Sequence, residues 1–287
     1  MGLRRRKALL PFALLAPGTA WLVLFFAVPA LTQVYVSLQT GNFEVGYQFD
    51  WAWSTYKNAL TQYDEQFLRS LGYAATATLL CFLIGFPLAY FIAFKAGRWR
   101  NLMLLLIILP FFTSYLIRTV AWQTILADNG FVADRLRDVG LLSENGRLLA
   151  TRTAVIAGIT YNFLPFMALP LYVSLEKIDR RLIEAATDLY ASRRQAFLRV
   201  TLPLAIPGII AGSLLTFIPA VGDFVNAQLL GTSRQYMIGN VIQSKFLVVT
   251  DYPEAAALSF ILMGILLICV LAYTKVLGSR NLEEAVV

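Results

Sequence analysis

Residues 175–203 begin Leu175-Glu176-Lys177-Ile178-Asp179-Arg180-Arg181-Leu182-Ile183-Glu184-Ala185-Ala186-Thr187-Asp188-Leu189-Tyr190-Ala191 and end Phe197-Leu198-Arg199-Val200-Thr201-Leu202-Pro203. This charged stretch stands between two apolar runs, 153–175 and 204–230. Its spacing places Leu182, Ala185, Ala186 and Leu189 on one face of a short helix, with Arg181, Glu184 and Asp188 along a neighbouring face. Small alanines let another protein approach closely. Pro203 suits the first turn of the next helix, where its missing N–H costs nothing. From periodicity alone the segment is either a docking helix or an amphipathic helix lying in a membrane interface.

The rest of the chain says that a membrane is there. A hydrocarbon core about 30 Å thick needs about 20 apolar residues in helix, and six segments meet that length: 9–36, 71–94, 102–126, 153–175, 204–230 and 255–276. None alternates with period two, so they read as helices and not as barrel strands. The expected class is all-α, a polytopic membrane protein with about six transmembrane helices in one domain, 1–287. Composition agrees. Of 287 residues 58% are hydrophobic and 14% charged, against roughly 25% charged in a soluble domain.

The net charge of +7 does not mark a nucleic-acid binder, because the basic residues sit between apolar runs and gather on no soluble face. With the N-terminus inside, fifteen of the 24 lysines and arginines fall in inner segments, among them Arg4, Arg5, Arg6, Lys7, Lys95, Arg98, Arg100, Lys177, Arg180, Arg181 and Arg280. Eight fall outside, and Arg118 lies within a helix. That bias places both termini in the cytoplasm. Acidic residues lean outward, Glu44, Asp50, Glu144 and Asp251 among them, and would favour cations near the outer mouth. The basic N-terminus resembles a signal peptide, but the apolar run after it is too long and lacks a convincing small-x-small cleavage site, so an uncleaved first helix is expected.

Several chemistries are excluded or weakened. There is no histidine, which removes the commonest general base and metal ligand, and no metal site is expected. Cys81 and Cys269 form no CxxC and read as small core residues. No Gly-x-x-x-x-Gly-Lys loop is present, so the chain lacks the usual phosphate cradle for ATP. It is not expected to be an enzyme.

Glu184-Ala185-Ala186 followed by Val200-Thr201-Leu202-Pro203 resembles the EAA loop of ABC importer permeases of type I: Glu-Ala-Ala, three residues, Gly, nine residues, a branched apolar residue, any residue, Leu-Pro. The spacing matches throughout, and charge bias independently puts the loop, about 176–203, on the inner side. The resemblance implies a coupling helix that docks into a separate ATPase subunit through Glu184, Ala185, Ala186, Asp188, Leu189 and Tyr190. Tyr190 stands where the family usually has glycine, a residue that permits a left-handed turn, which puts the local bend in question. The segments 109–119 and 201–224 resemble spermidine/putrescine permeases, with versions shared by permeases for iron, phosphonates and opines. The family implies a second homologous permease subunit, an ATPase dimer carrying ATP and Mg, and an extracytoplasmic solute-binding protein, in the bacterial inner membrane. No cofactor is expected on this chain. The rival readings are another solute in the same machinery and, from another class, an ion-coupled secondary transporter, which would lack the loop.

Ionisable groups within a membrane are costly and so are functional candidates. At 1.5 Å per residue, Arg118 lies roughly 27 Å beyond Arg100, and Asp223 roughly 30 Å beyond Pro203. Asp223 is expected to attract a cationic solute near the outer gate, with Arg118 as its partner when the pathway is empty; a structural ion pair is the alternative. Tyr161, Asn162 and Phe166 near the midplane of the fourth helix, with Tyr115, would suit a polycation through π faces and an amide, or serve only packing. Gly208 and Gly212 make a small-xxx-small pair suited to helix contact.

Overall fold

A computed structural model describes residues 14–143 and 145–284, with side chains through Lys275. Arg4, Arg5, Arg6, Lys7, the expected start of the first span at Leu9, and Glu144 lie outside the described residues, as does the side chain of Arg280. Four helices are long and apolar enough to cross a membrane: α1 Leu14–Ser37, α3 Asp64–Phe94, α7 Arg152–Glu176, and the stretch Tyr252–Lys275 of α13, which runs Tyr252–Glu284. Two bent pairs are long and apolar enough to make a span each: α4 Gly97–Phe112 with α5 Tyr115–Ile125, at 96°, and α9 Arg193–Leu204 with α10 Ile206–Val221, at 61°. Counted so, six crossings match the six apolar runs. The shorter helices are α2 Trp53–Gln62, α6 Phe131–Asp138, α8 Arg180–Asp188, α11 Val225–Leu230 and α12 Ile238–Leu247.

The chain forms two compact units. The smaller takes in residues up to Gln62 together with Ile242–Gly264. Here the helical class has its one exception among the described residues, an antiparallel hairpin of β1 Gln39–Asn42 and β2 Gly46–Phe49 paired Gln39↔Phe49 to Asn42↔Gly46. Its turn is closed by Asn42 Oδ1, which accepts from the backbone N–H of Glu44 at 3.1 Å and Val45 at 2.9 Å. Lys245 pairs with Glu254 in the same unit.

The larger unit, Tyr63–Val241 with the chain from Ile265, has α3, α7 and α10 as its core. Small residues of α3 at three- and four-residue spacing, Ala74, Ala77, Cys81, Gly85 and Ala89, are buried. They let α7 approach: a Cβ on Gly85 would lie 3.3 Å from Met167 Cγ. The Cys81 thiol donates to Thr160 O at 3.3 Å. Gly208 and Gly212 do the same from α10, with Pro170 O only 2.8 Å from a Cβ at 208 and Met167 O 3.0 Å from one at 212. In a membrane, where lipid tails are as apolar as leucine, such close backbone packing drives helix association.

Both bends have local causes. Pro110 sits in the short turn Leu109–Phe112 that ends α4, and Thr113 and Ser114 are extended, with ψ of 141° and 139°. In the fifth crossing, Pro207 opens α10, and its ring would clash with the carbonyl four residues back if the helix ran straight. The depths counted along straight helices are therefore corrected. Arg118 lies past a 96° turn from Arg100, and Asp223 lies beyond the end of α10, in the break before α11.

Candidate functional site

Two constellations emerge in the larger unit. The first is the charged segment after α7. Asp179 caps α8, its Oδ1 accepting from the Arg181 N–H at 3.0 Å. The Arg180 guanidinium donates to Ala93 O at 3.3 Å and Phe94 O at 3.2 Å, and lies 5.8 Å from the Phe94 ring centroid. It thus ties the start of α8 to the last turn of α3, whose orphan carbonyls favour a cation. Arg100 pairs with Glu176 and stacks over Tyr172 at 5.1 Å, fixing the end of α7.

No residue of α8 is buried. Ile183 and Ala186 turn partly inward, while Leu182, Ala185 and Leu189 are exposed, so the expected apolar face is split, with Ala186 on the inner side. Glu184 and Asp188 are exposed and make no ion pair among the described residues. Tyr190 takes φ of +61°. The N–H of Tyr190 donates to Thr187 O and that of Ala191 to Ala186 O, both at 3.0 Å, the paired bonds of a Schellman ending. The left-handed turn is thus kept without glycine, at a cost of about 1 kcal/mol, and the tyrosine ring stands 98% exposed. Ser192 and Gln195 then form a capping box that starts α9.

The second constellation gathers α5, α7 and α11. Asp223, 6% exposed, accepts from the Tyr115 hydroxyl at 2.7 Å through Oδ2, and from the Asn226 N–H at 3.1 Å through Oδ1. The Asn226 amide also donates to Asp223 Oδ2 and, at 2.7 Å, to the Tyr115 oxygen. Asn162, 1% exposed, donates to Asn226 Oδ1 and to Thr119 Oγ1, each at 3.3 Å. Gly158 makes room for this, since a Cβ there would lie 2.6 Å from Asn226 Oδ1. A buried carboxylate is tolerated when donors surround it, and here they come from a tyrosine and an asparagine.

Arg118 is 9% exposed and forms no ion pair with Asp223, correcting the expected partnership. Tyr115 stands between them: its hydroxyl meets the carboxylate, while Arg118 Cζ lies 5.7 Å from its ring centroid and 5.2 Å from that of Phe111. Phe166 packs edge-on against Phe111 at 5.1 Å. Tyr161 turns elsewhere, against Trp122 at 5.4 Å. Sequence reasoning missed Asn226 and Thr119. Asn226 carries a signal in retrospect, an amide three residues after Asp223 at the start of a helix, where the two side chains share one turn.

Four long apolar helices and two bent pairs, with an exposed amphipathic helix between the fourth and fifth spans, define a polytopic helical membrane protein. Residues 82–280 match the family described as binding-protein-dependent transport system inner membrane component, and the chain belongs to that family. It is 40% identical to the spermidine/putrescine transport system permease protein PotB of Haemophilus influenzae, over 91% of this chain and 93% of that protein. It is 39% identical to PotB of Escherichia coli, over 93% and 96%. Among solved structures, a bacterial ABC transporter involved in the import of the acidic polysaccharide alginate aligns with a TM-score of 0.70 at 21% identity, covering 96% of this chain and 99% of that one; this likeness concerns the fold. The chain is accordingly a multi-pass inner-membrane permease subunit of an ABC transporter.

Proposed function

We propose that the chain is one permease subunit of a polyamine importer, carrying spermidine or putrescine by alternating access. What carries this reading is the identity of about 40% to PotB over nearly the whole of both chains. The residues 1–287 act as one permease domain that does no covalent chemistry. A second, homologous permease completes the pathway, an ATPase dimer holding ATP and Mg lies on the cytoplasmic side with both termini, and a solute-binding protein delivers from outside. On ATP binding the ATPases close and move α8, and the ties of Arg180 to α3 and of Arg100 to Glu176 pass that motion to the core. The alternating states are rigid-body rearrangements of packed helices. Tyr115, Arg118, Tyr161, Asn162, Phe166 and Asp223 belong to the pathway, where a carboxylate and π faces suit ammonium groups.

The reading is tested by uptake of labelled spermidine and putrescine into cells with and without this subunit. Removal should abolish ATP-dependent uptake of at least one of them; equal uptake without it would end the polyamine assignment while leaving the permease family intact. A second expectation concerns Tyr190. Tyr190→Gly relieves the left-handed strain, partly offset by the greater freedom of glycine in the unfolded chain, so the thermal midpoint should hold or rise slightly. Binding of the ATPase subunit should nevertheless weaken about three- to tenfold, because an exposed aromatic is removed from the docking end. Unchanged ATPase binding in a titration would take Tyr190 out of the interface.

A further inference from the structure

Four aromatic rings in the larger unit form a chain. Phe111 meets Phe166 at 5.1 Å, Phe166 meets Phe163 at 6.0 Å, and Phe163 meets Tyr115 at 6.3 Å. The two ends are bridged by one cation, since the Arg118 guanidinium lies over both Phe111 and Tyr115. The result is a box of four π systems with an arginine of the same chain over the two rings at its ends. The rings come from α4, α5 and α7, and the 96° turn at Thr113–Ser114 brings Phe111 and Tyr115 onto one cation.

Arg118 is poorly held for so buried a charge. Among the described residues its Nε and Nη1 have no hydrogen-bond partner and no carboxylate pairs with it. A desolvated guanidinium ordinarily takes a carboxylate or several acceptors. Asp223 is near at hand, but its oxygens are taken by Tyr115 and Asn226. The box is also open on one side: Phe111 is 38% and Phe166 37% exposed, whereas Phe163 is 8%. Tyr115, donating its proton to a carboxylate, presents an electron-rich face.

We propose that Phe111, Tyr115, Phe163 and Phe166 form a binding site for an alkylammonium group, and that Arg118 is a resident cation which occupies it in this conformation and leaves when the solute's ammonium enters. Aromatic faces attract ammonium ions through the ring quadrupole, more strongly when desolvated. A resident cation keeps the site from standing open to small inorganic cations. It also links entry of solute to displacement of a side chain on α5, beside the bend. Spermidine as the natural occupant rests on the polyamine reading above; the cation box itself does not.

The test uses the assembled transporter, with its second permease and ATPases, in lipid nanodiscs, and measures equilibrium binding of labelled tetramethylammonium and labelled spermidine. Arg118→Gln should bind both at least about tenfold more tightly than wild type, and adding Phe166→Leu should reverse the gain. Tetramethylammonium gained without spermidine would uphold the box and remove the polyamine as its occupant. Neither cation gained, in a variant that unfolds at the wild-type temperature, would overturn the proposal even if wild-type cells import spermidine. Should Arg118→Gln fail to assemble, Phe111→Leu and Phe166→Leu alone serve, both at part-exposed rings. Each should raise the KM for spermidine uptake several-fold with kcat little changed, and an unaltered KM in both would overturn the box.

Discussion

Glu184→Arg is expected to cut ATP-driven uptake at least about tenfold while leaving the amount of inserted protein unchanged. The side chain is exposed on a helix with no buried residue. It makes no ion pair among the described residues, and its backbone carbonyl accepts from the Thr187 hydroxyl at 2.7 Å. Substitutions at such surface positions usually change stability by no more than about 0.5 kcal/mol. Across an interface the same change is severe, because a like-charge juxtaposition costs several kcal/mol and each 1.4 kcal/mol is a factor of about ten in affinity. Transport should therefore fail through lost coupling and not through lost folding. The comparison is uptake of labelled spermidine against the variant's abundance in the membrane fraction, with ATPase-subunit binding measured in parallel. Normal uptake and normal ATPase binding would remove Glu184 from the docking face.

That α8 stands free was legible in advance, because a charged stretch between two apolar runs has nowhere to be but at a membrane face. The four long apolar helices, and six spans when each bent pair counts as one, were legible for the same reason: length and hydropathy suffice where the solvent is hydrocarbon. The bends were not. Both halves of 102–126 are apolar, so hydropathy runs smoothly across Thr113 and Ser114, and only the extended backbone of those two residues after Pro110 turns the chain by 96°. Proline alone did not foretell it, since Pro165 and Pro170 sit inside an unbroken α7.

The polar site shows a similar limit. Asp223 and Arg118 stood out because charge in an apolar run is rare, yet their partners could not be read from one sequence. Tyr115 looks like any interfacial tyrosine until its hydroxyl is found on Asp223 and its ring under Arg118. Tyr190 illustrates the reverse. The family pattern wanted glycine there, and the backbone takes the left-handed turn regardless, because the two Schellman bonds and the capping box behind them hold it.

Gly208→Val is expected to lower the unfolding stability by about 3 kcal/mol or more. A Cβ at 208 would lie 2.5 Å from Ser174 Cβ and 2.8 Å from Pro170 O. The second contact is backbone, so no rotamer change relieves it, and overpacking of this kind costs about 1–3 kcal/mol even where side chains can yield. Gly212, one turn on, sits 3.0 Å from Met167 O by the same measure, so α10 cannot slide along α7 to escape. Gly72 supplies the contrast, being in α3 with nothing within 4 Å of its Cβ position. Gly72→Ala should leave stability unchanged or raise it by up to about 1 kcal/mol, the helix-propensity difference. The measurement is the thermal unfolding midpoint of both variants in one detergent. A Gly208→Val protein that unfolded with wild type would show that α7 and α10 part there at little cost. Motion delivered at α8 could not then reach the core as a rigid displacement, because α7 leads into α8 and α9 leads from it into α10, and the close contact of α7 with α10 is what makes those two helices move together.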